Sequence, residues 1–360
     1  MDKNKALVAM SGGVDSSVAA HMAKTQGFEC IGITMKFFDN EDIMADPLDS
    51  CCSAADIEDA RNVARLLGMP LYAINMSSLF KERVISKFVK GYKQGETPNP
   101  CIDCNRYVKF HKMYSLGDQL GVYHVITGHY ARVEYDALSR LYVLKKAMNA
   151  EKDQSYVLYG LDQEQLARTI FPLGEYTKTQ IRSIASDLGF ANASKPDSQD
   201  ICFIKNGDYG SFIDEYSEDA QQTGFFVDMD GNILGPHKGL SKYTIGQRKG
   251  LGLSMQKPMY VHSINTADNT VVLCENHELY RRDLRAGDFH WISGITPTNP
   301  FRAEAKIRYA HTPAPATVVD IEGSCVGILF DEPQRAITKG QAVVLYDGDV
   351  ILGGGTIIDY

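Results

Sequence analysis

Short apolar runs alternate with stretches of helical spacing along the first part of the chain. Residues 5–10 (KALVAM) form a strand-like run that stops at a glycine-rich turn, and 16–26 has helical spacing and ends at Gly27, a residue suited to a helix C-terminus. Residues 29–35 (ECIGITM) predict a second strand, and 54–67 (AADIEDARNVARLL) an amphipathic helix capped by Ser53 and closed at Gly68. A third strand is expected at 70–75 and another helix at 79–92; residues 115–120 end a further helix before a strand at 124–127 (HVIT). This rhythm predicts an α/β domain built on a parallel sheet with helices on both faces.

Near residue 205 the pattern changes. Residues 224–228, 260–264 and 270–273 alternate over short spans, and the stretch 206–252 is rich in glycine. Alternation becomes clear at 302–308, 316–321, 325–330, 342–346 and 350–358, with turns between. Such spacing is the signature of a small antiparallel barrel or sandwich. Three domains are therefore expected: 1–205, 206–275 (small and β-rich) and 276–360 (a C-terminal β-barrel).

Length supports the division, because 360 residues exceed one ordinary core. The apolar share of 44% and charged share of 23% are those of a soluble globular protein. No run approaches the roughly 18 apolar residues that a membrane helix needs. The start, Met1-Asp2-Lys3-Asn4-Lys5, has no signal-peptide character, so a cytoplasmic location is expected. The 8 cysteines do not form a secreted disulfide pattern in a chain this long. Reactive, metal-binding or buried thiols fit better. A net charge of −8 counts against nucleic-acid binding, although a basic patch can coexist with an acidic remainder.

The sharpest motif is Ser11-Gly12-Gly13-Val14-Asp15-Ser16-Ser17, between the first strand and the first helix. Glycines let the backbone approach an anion, and helix N–H groups with serine hydroxyls can cradle phosphate oxygens. The turn lacks a Gly-Lys-Ser/Thr ending and a G-x-G-x-x-G, so it is neither a Walker A loop nor a dinucleotide fingerprint. The plainer alternative is a glycine-rich turn with a serine cap. The string resembles the pyrophosphate loop of PP-loop ATPases, which split ATP into AMP and pyrophosphate. That resemblance implies that Asp15 and Ser16 serve the phosphates and magnesium.

A second motif reads Thr97-Pro98-Asn99-Pro100-Cys101-Ile102-Asp103-Cys104-Asn105. Its prolines predict extended backbone before the first cysteine. The C-x-x-C spacing lets two sulfurs face one metal or each other, and Arg106 and Lys109 would favour thiolate. A further cysteine stands in Asp197-Ser198-Gln199-Asp200-Ile201-Cys202-Phe203, where the α/β pattern ends. Alone, Cys202 would read as a core thiol. Cys51 and Cys52 precede a helix and read as structural, and Cys30, Cys274 and Cys325 as core.

Taken in order, the motifs at 11–17, 99–110, 152–159, 197–203 and 243–252 resemble those of the bacterial tRNA-specific 2-thiouridylase family, from about residue 5 to residue 358. The resemblance implies a catalytic nucleophile at Cys104 and a persulfide carrier at Cys202. It implies ATP contacts at Ala9, Met10, Ser11, Gly12, Gly13, Val14, Asp15, Ser16, Met35 and Gly128. Asn99, Pro100 and Cys101 would face the target base. Transfer RNA would meet His129, Lys152, Asp153, Gln154, Arg308, Tyr309 and Gln341. Arg308-Tyr309 also pairs a phosphate-seeking cation with a stacking ring.

The implied reaction is ATP-dependent 2-thiolation of the wobble uridine in the anticodon loop, with Mg2+ and a sulfur-donor protein. Persulfide transfer needs a thiolate and a second thiol that closes a disulfide. In well-known members an aspartate stands where this chain has Cys101, so that residue's acid–base role does not carry over. Cys101, Cys104 and Cys202 holding a [4Fe–4S] cluster is the alternative arrangement. A PP-loop ligase acting on a small molecule, and a non-catalytic RNA-binding or iron–sulfur carrier protein, are the rival functions.

Overall fold

The computed structural model describes residues 1–38, 54–197, 201–204, 207–217 and 222–360. Cys51, Cys52, the Ser53 cap and Ser198, Gln199 and Asp200 lie outside the described residues. The apolar run at the start becomes β1 (Asp2–Ala9), in which Ala6, Leu7 and Val8 are wholly buried. An apolar stretch without alternation suits a central parallel strand covered on both faces. Beside it lie β2 (Glu29–Lys36), then β3 (Leu71–Asn75), and on the other side β4 (Val122–Ile126) followed by Thr169–Ile170. All neighbours in this five-stranded sheet are parallel. The chain runs outward from β1 to β3 and then returns to the opposite side of β1. The chain therefore changes direction between β1 and β4, and open α/β sheets bind ligands in the crevice at the carboxyl ends of strands flanking such a switch point.

Helix α1 (Val14–Thr25) buries small residues, Ser16, Ser17, Ala19, Ala20 and Ala23, which bring its axis close to the sheet. Its end has the paired hydrogen bonds of a Schellman motif, Phe28 N–H to Ala23 and Gly27 N–H to Lys24. Residues 77–93 and 100–120 are helical, and each contains a π segment, Lys81–Ile85 and Cys104–Phe110. Such segments are uncommon and recur at functional sites. The second begins at Cys104. Pro100 differs from the sequence expectation of extended backbone. It is the first residue of the helix, where a missing N–H has no cost and its fixed φ fits.

The middle of the chain forms a four-stranded sheet, Tyr260–Asn265, Thr270–Cys274, Gly224–Val227 and Ile233–His237. Its core gathers Phe226, Tyr243, Ile245, Val261 and Leu273, and Ala336 from the barrel. Tyr243 and Ile245, in the motif at 243–252, are core residues, while Arg248 and Lys249 are exposed.

The C-terminal strands close into an antiparallel barrel because Tyr280–Trp291 pairs with both Cys325–Arg335 and Val350–Asp359. This 12-residue strand was not evident in the sequence. It buries Leu284, Ala286, Phe289 and Trp291 and turns Arg282, Asp283, Arg285 and Asp288 to solvent, so its apolar content is low. The hairpin Ala131–Asp136 and Leu141–Lys146, from the first part of the chain, joins the barrel sheet at Val350. Arg132 fixes that join with a 2.7 Å ion pair to Asp349. Among the described residues, no helix is long and apolar enough to cross a membrane.

Candidate functional site

The phosphate turn leaves β1 at Ala9 and Met10, whose N–H donates to Ile33 of β2. Gly12 has φ +79°, and a Cβ there would lie 2.2 Å from the carbonyl oxygen of Asp56. Gly13 caps α1 at φ −83° with ordinary extended geometry. Ser16 Oγ accepts from Ser11 N–H at 3.1 Å and donates to the Gly13 carbonyl at 3.0 Å, which closes the turn. Asn192 donates to the Gly12 carbonyl at 2.8 Å and to Ser17 Oγ at 2.9 Å. The N-terminal amides of a helix have no intrahelical partner, and at α1 they face the crevice end of the sheet. Gly128, just after β4, touches this turn, since a Cβ there would lie 2.8 Å from Asp15 C and Ser16 N. Met35 is buried near the end of β2.

Asp15, in the first turn of α1, accepts from Tyr130 Oη at 2.7 Å and from Lys178 Nζ at 2.8 Å on each oxygen. Lys178 also reaches Asp197 at 2.7 Å. Asp197 is shared further, with Lys152 at 2.8 Å and Arg182 at 3.0 Å. Burial works to raise this carboxyl, but the hydrogen bonds from Lys152 and Lys178 hold it down to about 2. Carboxylate and cations thus form one chain from the phosphate turn to the head of the segment that carries Cys202.

The cysteine motif starts where Asn99 accepts from Cys101 N–H at 3.1 Å, a side-chain cap with proline next in the helix. Cys101 is exposed and Cys104, one turn on, is buried. Cys104 belongs to an apolar cluster with Phe80, Phe88, Ile102 and Val108, and Ile201, Cys202 and Phe203 pack against the same cluster. Phe203 meets Phe88 edge-on at 5.4 Å and Phe80 at 5.7 Å. Two cysteines far apart in sequence therefore approach one apolar body. Cys30 and Cys274 are core thiols that burial pushes up to about 11. Cys325, expected in the core, is half-buried at the start of its strand. Among the described residues, no group of three or more His, Cys, Asp and Glu side chains is arranged to hold a metal ion.

The barrel reaches this motif directly. Tyr309 donates to the Asp153 carbonyl at 3.2 Å and meets Tyr156 edge-on at 6.0 Å. Burial, then Asp153 and then Cys101, raise its phenol, so Cys101 is among its electrostatic neighbours. Gln341 donates to the Thr97 carbonyl, and Thr97 N–H donates to Lys339 at 2.9 Å. The loop before Asn99 is thereby pinned to the barrel. A cleft of about 220 Å³ runs along this seam, between Lys87, Asn99 and Arg106 on one side and Asp288, Gly340 and Thr356 on the other.

Several residues that the resemblance assigned to RNA have internal partners. Arg308 donates to the carbonyls of Ala336 at 2.7 Å and Ile245 at 3.2 Å and to Thr338 Oγ1, which ties the central domain to the barrel. Asp153 accepts from Ala147 N–H and Ser155 Oγ, and Gln154 accepts from Tyr130 N–H at 3.0 Å. His129 stacks on Phe110 at 5.8 Å and bonds Thr127 through Nδ1 at 2.8 Å. Burial, helped by Lys109, pushes it down to about 3, so it is neutral at pH 7. Tyr130, Lys178 and Asn192 were not found from sequence. Only Tyr130 lay next to a recognised motif; the other two come to the turn from more than 150 positions away, at |i−j| of 163 and 180.

The parallel sheet with its glycine turn at the switch point, the four-stranded middle sheet and the closed antiparallel barrel define an α/β protein of the open parallel-sheet class with two β domains attached. Residues 4–206 match the family model described as a tRNA methyl transferase HUP domain. Residues 210–275 match a tRNA methyl transferase PRC-barrel domain, and 281–357 an aminomethyltransferase beta-barrel domain. The chain is 49% identical to the tRNA-specific 2-thiouridylase MnmA of Clostridioides difficile, over 98% of each chain. It is 48% identical to the MnmA of Acetivibrio thermocellus, over 99% of this chain and 100% of that one. A solved 4-thiouridine synthetase–RNA complex with bound ATP is similar more loosely, with a TM-score of 0.35 and 19% identity over 55% of this chain and 44% of that chain. The chain belongs to the tRNA-specific 2-thiouridylase (MnmA) family.

Proposed function

We propose that this protein is an ATP-dependent tRNA sulfurtransferase that replaces the C2 oxygen of the wobble uridine, position 34, with sulfur. The observation that carries this reading is the presence, in one α/β domain, of a glycine turn that opens a helix and of an apolar cluster that contains Cys104 and has Cys202 packed against it. Ala9, Met10 and the turn through Ser16 hold the nucleotide, with Met35 and Gly128 on the adenine side. Asp15 serves Mg2+, which requires exchange of its contacts with Lys178 and Tyr130. Asn99, Pro100 and Cys101 face the extruded base, which must leave its stack before chemistry. Transfer RNA lies across His129, Lys152, Asp153, Gln154, Arg308, Tyr309 and Gln341. For Arg308 and Gln341 this requires exchange of the internal partners described above.

The uridine C2 oxygen attacks the α-phosphorus of ATP and pyrophosphate leaves. Adenylation makes that oxygen a good leaving group. A sulfur-donor protein first loads Cys202 as a persulfide. The terminal sulfur attacks C2 and AMP departs. The Cys104 thiolate then attacks the Cys202 sulfur, which breaks the S–S bond to the product and leaves a Cys104–Cys202 disulfide. The transferred sulfur is reduced while the two thiols are oxidised, and a cellular dithiol resets them. The reaction calls for a cytoplasmic setting, where tRNA and reductant are both present.

Cys202→Ser tests the reading. It should lose thiolation with a protein persulfide donor while keeping ATP binding. Undiminished thiolation by the variant would refute the assignment.

A further inference from the structure

Several cations near the cysteine motif are already matched by acids. Lys87 lies 2.7 Å from Asp103, and Arg106 lies 2.8 Å from Asp288. Lys152 and Lys178 share Asp197. Lys306, the last residue of the strand Phe301–Lys306, is different. It is half-buried, and its ammonium lies 5.6 Å from the ring centroids of both Tyr156 and Tyr309. Among the described residues it makes no ion pair and no hydrogen bond. Two ring faces attract the charge, but they do not take up its three N–H donors as oxygens would. The ammonium still reaches solvent.

The acids that could neutralise it are engaged elsewhere. Asp153 accepts from Ala147 N–H at 2.9 Å and from Ser155 Oγ at 2.8 Å, and Glu304 lies 3.8 Å from Lys146. Burial lowers the pKa of Lys306; Asp153 opposes that shift through space and Lys146 adds to it. Arg308 adds positive charge to the same locus, since its partners are carbonyls and a hydroxyl rather than acids. Burial, then Arg308 and Lys306, push His311 down, and its buried Nδ1 has no partner. The cage also borders the cysteine motif, because Tyr309 is 43% exposed and has Cys101 among its electrostatic neighbours. A nucleotide whose base faces Cys101 carries a phosphodiester on each side, and the Tyr309 ring offers a surface for it to lie against. A lysine that only braced two tyrosines would gain from a nearby free acid; this one stands among cations, an arrangement that an anion arriving from solvent would relieve.

We propose that Lys306 holds a phosphodiester next to the extruded uridine, with its ammonium as the donor and Tyr309 as the wall of the seat. The proposal rests on the reading of the protein as acting on tRNA.

The test uses the full chain and an unmodified anticodon stem-loop RNA with uridine at position 34. K306M should bind it roughly 5- to 30-fold more weakly, the loss of one charge-assisted contact. The slope of log affinity against log salt should fall by about 1. ATP affinity should stay within about 2-fold. K306R, which keeps the charge, should recover most of the RNA affinity. Two further stem-loops carry a neutral methylphosphonate at the linkage before or after position 34. With one of them, wild type should lose what K306M lost on the charged RNA, and K306M should lose little more. Wild-type binding of the charged stem-loop by K306M would overturn the proposal. So would a K306M deficit of equal size on all three RNAs, which would make the lysine a brace for the two rings. Should K306M fail to fold, K306Q takes its place in the same comparison, with the same two refuting results. If wild-type protein binds none of the stem-loops, the tRNA reading itself is wrong and the proposal falls with it.

Discussion

The adjacent glycines of the phosphate turn are alike in sequence and unlike in structure, and that difference gives a measurable split. At Gly12 the backbone has φ +79° and a Cβ would stand 2.2 Å from the Asp56 carbonyl oxygen and 2.7 Å from its carbon. Alanine in the left-handed region costs roughly 1–2 kcal/mol. The clash is with backbone at the start of a helix, which cannot rotate away, and overpacking of this kind adds about 1–3 kcal/mol. Gly12→Ala should therefore destabilise the protein by about 2–5 kcal/mol, lowering the Tm by about 2–4 °C for each kcal/mol in a domain of this size. At Gly13, φ is −83° and the nearest atom to a Cβ is Ser11 Oγ at 3.5 Å. Alanine is a poorer cap than glycine, but it also restricts the unfolded chain, and these effects of about 0.5–1 kcal/mol oppose each other. Gly13→Ala should melt within about 2 °C of wild type. Thermal unfolding of both variants, with ATP titrated into each, reads stability and binding separately. Gly13→Ala should fold normally and still bind ATP more weakly, because its new methyl stands at the start of the helix proposed to meet the phosphates. Equal melting of Gly12→Ala and wild type, or equal destabilisation by the two substitutions, would refute this geometry of the turn.

Two further outcomes follow from buried polar groups. Arg308→Ala removes the guanidinium from the Ile245 and Ala336 carbonyls and Thr338 and should destabilise by about 2–4 kcal/mol in urea unfolding; Arg308→Lys should not restore it, because an ammonium lacks the planar fork, and an unchanged urea midpoint for Arg308→Ala would refute the tie between the two domains. His129 is held neutral, with its value pushed from 6.5 down to about 3, so the unfolded chain binds its proton first. Its contribution is intact above about pH 6.5 and declines as the pH falls towards 3. His129→Gln should lessen the stability loss between pH 7.5 and pH 5.5 (assay conditions of about these values) relative to wild type. An identical pH slope in the two proteins would sink this assignment.

What the sequence reveals depends on where the physical cause lies. β1 and β2 were legible because a strand buried on both faces must be apolar throughout, and α1 because Gly27 punctuates its end. The strand Tyr280–Trp291 was not, since charges on its outer face dilute the apolar signal. The hairpin at 131–146 gave no sign that it would complete a sheet with Val350, because that pairing is fixed by docking across the chain. The π segment at Cys104 has no known residue signature and arises from packing. Motifs located the turn and the two cysteines proposed to react. They did not locate Lys178 or Asn192, whose roles exist only once the helix Lys178–Asp187 and the loop after it fold against α1.

The formal charge of −8 now has a different meaning from the one it suggested. Around the crevice, Lys152, Lys178 and Arg182 converge on Asp197, and Lys195 lies 2.6 Å from both Asp56 and Asp59. Each of these cations near the proposed substrates is already matched by a carboxylate. A sum over residues counts these pairs as nothing, whereas a phosphate entering the crevice meets the cations themselves and competes with acids for them. Pre-pairing spares the protein the cost of holding uncompensated charge in a half-buried cleft. It also sets a threshold, since a polyanion must displace Asp197 or Asp15 before it gains a full ionic contact.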